Sequence, residues 1–373
     1  MTQDAFVGCE RRAVRFEQGR DEVGRDQALQ SIGLKKRFDV ERIRGDFPCL
    51  HQDVHGRPLI FLDTAASAQK PEAVIDAQAG TLRHSYANIH RGVYELSERA
   101  TTLHEAAREK VVHFLNARSH QEIVFTRGAT EAINLVAESF VRPMAQVGDE
   151  ILITTMEHHA NIVPWQLLET RIGTKLKVAP ITDDGELIFE SFEKLISPRT
   201  RLIAVTWVSN AIGTVLPIQD IIDLGHRHGI PVLIDASQAV QHFPVDVQML
   251  DCDFMVFSGH KLYGPSGIGV LYGKAQHLEA MPPYQGGGDM ILSVSFEKTE
   301  FADLPLKFEA GTPAIEAAVG LGAAIDYITA LGLNEIAQHE RELMDHATEA
   351  MQTVPGLTIV GTARDKCSVM SFV

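Results

Sequence analysis

Lys261 follows the apolar run Phe254–Ser258 and stands among small residues in SGHKLYGPSGIG. A lysine drawn out of water at such a place loses proton affinity. Its neutral amine is then a nucleophile towards aldehydes. Most lysines are solvated surface groups, so the position gains weight only in company. Asp235 ends a second run, PVLID at 231–235, where a carboxylate is costly without a partner. It either serves a ligand or caps the helix that follows. His158 and His159 follow a third run, EILIT at 150–154, and an imidazole there can stack on a planar ring, move a proton or simply fill a structural place. The fourth group is TRGAT at 126–130, whose small residues would let backbone amides and the Thr130 hydroxyl approach an anion, or would only cap a helix beginning near Glu131. The His-Glu-x-x-His spacing of zinc enzymes is absent, and no metal is assigned.

Taken together, the four groups describe one ligand. Pyridoxal 5′-phosphate (PLP) requires a lysine for its aldehyde, a carboxylate for its pyridine nitrogen, a flat neighbour for its ring and an anion cup for its phosphate.

Residues so far apart in the chain need a scaffold that brings them to one edge. Eight short apolar runs supply it: LIFLD at 59–63, EIVFT at 122–126, EILIT at 150–154, LKVAPI at 176–181, RLIAVTW at 201–207, PVLID at 231–235, FMVFS at 254–258 and IGVLY at 268–272. None alternates with polar residues, as expected of strands buried on both faces. Stretches such as 129–141 and 218–228 carry apolar residues at spacings of three and four, which predicts crossover helices. The pattern predicts an α/β protein with a mostly parallel sheet and a ligand beyond the carboxyl ends of its strands.

Residues 1–37 hold eight basic and six acidic residues without an apolar period and are expected to form a disordered N-terminal extension. Residues 38–311 read as the cofactor-binding large domain, with its N-terminal segment contributing to the small one. After Thr312, helices are expected over 314–331 and 334–353 and short strands near 357–360 and 368–373. This reads as the start of a smaller α/β domain that is incomplete at Val373.

Composition narrows the partners. The charge sum, 34 − 49 = −15, argues against nucleic acid. No run approaches the length of a membrane span and no signal peptide is apparent, so the expected location is the cytoplasm. Cys9, Cys49, Cys252 and Cys367 are too few and scattered for a disulfide framework.

The strings EHHANIVPWQ, DASQAVQH, DCDFMVFSGHKLYGP, GGGDMI and FEAGTP resemble the cysteine desulfurases of the SufS type, from about Phe38 to Val373. These enzymes belong to the class-V aminotransferase-like branch of the fold-type-I PLP enzymes. The resemblance implies a large domain with a seven-stranded type of sheet and Lys261 as the residue bonded to PLP. It also implies His158 over the ring as a catalytic residue and Asp235 at the pyridine nitrogen. Asn210 and Gln238 would touch the ring hydroxyl, and Thr130, Ser258 and His260 the phosphate, with Ala129 also at the cofactor. Thr312 and the turn Gly286–Gly288 would reach the partner's site in a homodimer, and His90 and Arg91 would line the substrate pocket. Residues between Gly288 and Phe308 would form an extra hairpin.

By the same resemblance, the expected reaction converts L-cysteine to L-alanine and a persulfide, whose sulfur passes to an acceptor protein for iron–sulfur cluster assembly. A selenocysteine lyase or another PLP β-lyase on this scaffold is the alternative. The family's nucleophilic cysteine and its carboxylate-binding arginine would lie beyond Val373, and none of the four cysteines matches that position. The chain is therefore expected to bind PLP but turn over cysteine poorly, which keeps a catalytically silent scaffold as a further alternative.

Overall fold

Seven of the eight apolar runs become neighbours in one twisted sheet. They are β1 (Ile123–Thr126), β2 (Glu150–Thr154), β3 (Lys175–Ala179), β4 (Thr200–Thr206), β5 (Val232–Asp235), β6 (Phe254–Ser258) and β7 (Gly269–Gly273). A computed structural model describes residues 38–90 and 92–373. The expected disordered extension, residues 1–37, and the expected substrate residue Arg91 lie outside the described residues.

The strand order is β1-β7-β6-β5-β4-β2-β3. Pairing is parallel throughout β6-β5-β4-β2-β3, whereas β7 runs antiparallel to both its neighbours, so β1 and the other five strands share one direction. Parallel strands need crossovers, and α3 (Ala129–Leu135), α4 (Val163–Ile172) and α5 (Ile218–Arg227) lie between successive strands. The central strands are buried along their whole length, because helices cover both faces. Val124, Ile133, Ile153, Trp165, Leu233 and Val256 belong to the main core.

Before the sheet come α1 (Glu72–His84) and α2 (Glu95–Leu115), and after it α6 (Ile315–Leu331), which packs on both. Small residues permit that approach. A Cβ added at Gly320 would lie 2.8 Å from Gln78 Cγ of α1, and one at Gly322 would lie 3.3 Å from Ala107 of α2. The helix α7 (Leu333–Gln352) then follows, and β10 (Ile359–Val360) pairs antiparallel with β11 (Ser371–Phe372). Within Gly288–Phe308, β8 (Ile291–Val294) and β9 (Thr299–Phe301) form the expected hairpin. No single helix among the described residues is long and apolar enough to cross a membrane.

The run LIFLD at 59–63 is the exception and corrects the sequence reading. It joins no strand, and Ile60 and Leu62 are 81% and 91% exposed. The adjacent residues Arg57–Pro58 pair instead with Asp53–Val54 in a two-residue ladder. An apolar run marks a strand only where a partner edge lies along it, and here the contact ends at Leu59, whose N–H donates to Gln52 O at 2.9 Å.

Candidate active site

Most of the expected site residues converge at the carboxyl ends of β1, β2, β4, β5 and β6. Asp235 is the last residue of β5, in register with Thr206 of β4 and Val256 of β6, and is only 5% exposed. Its Oδ1 accepts the N–H of Ser237 at 3.0 Å. Lys261 lies in the tight turn Gly259–Lys261 that follows β6. Burial pulls its ammonium below the ordinary lysine range, and the nearby Asp235 carboxylate offsets part of that fall. The amine is therefore drawn towards the neutral, nucleophilic form that the sequence position suggested.

His158 stands just past β2. Its Nδ1 accepts the N–H of Ala160 at 3.1 Å, which leaves the proton of the neutral ring on Nε2. Burial lowers its basicity and the Lys261 charge lowers it further, while Asp235 acts the other way. The three side chains that sequence reasoning chose separately thus share one electrostatic environment. His158 also lines a cavity of about 280 Å³ with Asn210, Ser209 and Ile181.

At the neighbouring strand ends, Ser258 Oγ accepts the N–H of Ala129 at 2.9 Å and so ties β6 to the first turn of α3. That turn starts at Ala129, two residues earlier than expected, and the Thr130 side chain faces solvent. Gly269 makes the closeness possible. A Cβ there would lie 2.4 Å from Gly128 Cα and 2.8 Å from Phe257 O. Gln238 is buried, donating from Nε2 to Ala65 O at 2.7 Å and accepting from Gln241 Nε2 at 3.1 Å. His260 Nδ1 lies 3.2 Å from Ser67 Oγ, and its carbonyl accepts the N–H of Ala68 at 3.0 Å.

Two predicted residues lie elsewhere. Thr312 lines a separate cavity of about 630 Å³ with Tyr86, His104, Arg127 and Tyr284. The His90 ring is bound to Glu105 of α2 at 3.0 Å. Neither joins the Lys261 group within this chain.

Sequence reasoning missed two groups beside the site. Glu157 is buried, takes Thr154 Oγ1 at 2.6 Å and Asn161 Nδ2 at 2.7 Å, and is pushed up to about 8 by burial. A glutamate directly between a strand end and two histidines was the available signal. Lys70 donates to Ala68 O at 2.5 Å and His260 O at 3.1 Å, and burial draws it down to about 8. No local signal marks it, since its partner His260 lies 190 residues away.

The residues present fit PLP. A buried carboxylate, a lysine of weakened basicity and a neutral imidazole share one strand-end environment, and close by, Ser237 Oγ and Gln241 Oε1 are buried without a hydrogen-bond partner. Unspent polar capacity of that kind is uncommon in a closed core and expected in a wall that meets a polar ligand.

Thiol chemistry is suppressed at two cysteines. Cys252 and Cys367 are buried, and burial pushes both thiols up, Cys367 to about 12. Neither is a thiolate at neutral pH.

Residues 60–373 match the family model described as Aminotransferase class-V. A cysteine desulfurase of Klebsiella pneumoniae is 54% identical over 336 residues, covering 90% of this chain and 82% of the relative. One from Synechococcus elongatus is 52% identical over the same length, and the match spans only 54% of that longer protein. The crystal structure of the Escherichia coli cysteine desulfurase CsdA superposes with a TM-score of 0.83 at 40% identity, covering 91% of this chain and 83% of that one. The apo cysteine desulfurase of Thermococcus onnurineus gives 0.85 at 35% identity with the same coverage. A glycine complex of the enzyme C-DES linked to its PLP cofactor shares the fold, with a TM-score of 0.76 at 23% identity. The sheet order, the strand-end lysine and these likenesses agree, and the chain belongs to the cysteine desulfurases of the Aminotransferase class-V family, on the type I fold of PLP-dependent transferases.

Proposed function

We propose that this chain binds PLP through Lys261 and takes part in removing sulfur from L-cysteine, yielding L-alanine and a persulfide on an acceptor thiol. The observation that carries the reading is the shared environment of Lys261, Asp235 and His158 at the strand ends. When bound, PLP supplies an electron sink for the electrons left at the substrate Cα. Lys261, less basic than a surface lysine, would hold the cofactor and then carry a proton at Cα. Asp235, buried and oriented by Ser237, would hold the protonated pyridine nitrogen, since a cation is what a buried carboxylate lacks. His158 would offer a flat neutral ring and one N–H at Nε2. Ser258, Ala129, Thr130 and His260 would surround the phosphate, and Asn210 and Gln238 the ring hydroxyl.

The sulfur goes to a thiolate, and then to an acceptor protein serving iron–sulfur cluster assembly in the cytoplasm. A homodimer is proposed as the working unit. Thr312 lines a cavity whose walls do not include Lys261, Asp235 or His158, which suits a residue donated to a partner's site, and the turn Gly286–Gly288 would act with it. Residues 38–311 would form the large domain and 312–373 would belong to the smaller one. The test is direct. One portion of the purified, PLP-loaded chain is reduced with borohydride and mapped, and a separate unreduced portion is assayed for alanine and sulfide from cysteine with dithiothreitol as acceptor. Label at Lys261 and equimolar alanine and sulfide are expected, and label at another lysine overturns the site.

A further inference from the structure

Apart from the Lys261 group, His90, His104 and Glu105 bring three metal-ligating side chains together, with their ligand atoms all within 4.8 Å of one another. We propose that they form a binding site for a divalent cation of the zinc class. Glu105 Oε1 lies 3.0 Å from His90 Nε2 and 3.1 Å from His104 Nδ1. A tetrahedral zinc ion with bonds of about 2.0–2.2 Å holds its ligands roughly 3.3–3.5 Å apart, so small shifts would admit the ion. Two imidazoles and one carboxylate match the donors of three-ligand zinc sites that keep a fourth position open. Nitrogen donors also favour zinc and its neighbours over magnesium or calcium.

The triad is held in place before any ion arrives. His104 and Glu105 are consecutive on α2, and the His104 ring is buried against Phe125 with centroids 5.3 Å apart. His90 precedes that helix at a φ of 65°, a strained value for a non-glycine residue. Its N–H donates to Thr101 Oγ1 at 3.0 Å, which locks the conformation. An ion has a way in, because the His90 and Glu105 side chains keep 21% and 39% exposure. Arg108, whose Nε lies 3.2 Å from Glu105 Oε2, is the cation that would oppose it. That charge is already met by Glu309 through two bonds of 2.7 and 2.9 Å. The buried Nε2 of His104 has no partner, so this imidazole lacks the outer support usual for zinc ligands. An affinity about 10–100-fold below that of a fully supported site follows.

The experiment uses the PLP-loaded full chain, stripped with a chelator and titrated with Zn²⁺ against a chromophoric competitor. One site per chain is expected, weakened at least tenfold in His104→Gln and in Glu105→Gln and retained in Cys49→Ser, which removes an exposed thiol. Melting curves without metal verify that each variant folds, and His90→Asn, at the exposed end of the triad, reports the same loss should either fail. Loading with Co²⁺ should give d–d bands without thiolate charge transfer. No zinc bound by the parent chain, undiminished binding in the triad variants, loss in Cys49→Ser or a thiolate band would each overturn the proposal.

Discussion

Arg108 and Lys261 are both cations withdrawn from water, yet they meet opposite surroundings. The Arg108 side chain is fully buried, and Glu309 answers it through two bonds while Ile123 O and Glu105 take others. Burial alone would weaken its hold on the proton, but Glu309 and Glu105 more than restore it. Lys261 has only the Asp235 charge to set against burial, and its basicity falls. The first arrangement spends its charge on fixing α2, β1 and the segment at 309. The second leaves an amine and a carboxylate ready for a ligand. A buried charge with all its partners is structural, and one with fewer than it needs is where chemistry can enter.

Removing each cation separates these roles. Lys261→Ala is expected to abolish covalent retention of PLP and to cut alanine formation by about 10²–10⁴-fold, while the melting temperature of the cofactor-free chain stays nearly unchanged. A variant that melts far lower would place Lys261 with the structural group. Arg108→Met should do the reverse. It strands the buried Glu309 carboxylate and should cost about 3–5 kcal/mol in urea unfolding. Recovery of much of that loss in Arg108→Met with Glu309→Leu would show that the penalty belongs to the orphaned charge.

Glu157 sharpens the comparison through pH. Its carboxyl titrates near 8 in the folded chain against an ordinary 4.5, so between these values the folded chain keeps a proton that the unfolded chain has released. Its contribution is complete below pH 4.5 and fades as pH rises to about 8. Unfolding followed across that window should show stability falling, and Glu157→Gln should flatten most of that fall. An unchanged slope in the variant would assign the proton elsewhere. The smallest effect belongs to the exposed pair Lys194–Glu190 at 2.7 Å. Lys194→Ala should change stability by about 0.3–0.5 kcal/mol, and less in high salt.

Much of the site was legible because local chemistry marked it. Lys261 and Asp235 stand where apolar strands stop, and a charged residue there is conspicuous in any reading of the chain. The hairpin within 288–308 and the two helices after 314 were likewise readable, from resemblance and from period. The run at 59–63 misled because its composition equals that of a core strand, while pairing depends on which edge lies beside it. Lys70 with His260, and Arg108 with Glu309, were invisible for a related reason: partners 190 and 201 residues apart leave no spacing to read.

The sequence by itself determined the alternation of strands and helices, the strand-end places of Lys261, Asp235 and His158, and an excess of negative charge. These follow from periodicity and composition, which are local properties. Only the tertiary structure decided that the three side chains share one environment, that Thr312 and His90 stand apart from them, and that Glu157 and Lys70 titrate far from their usual ranges. Burial and Coulomb interaction depend on distance through space, and the fold sets those distances by bringing remote strand ends together.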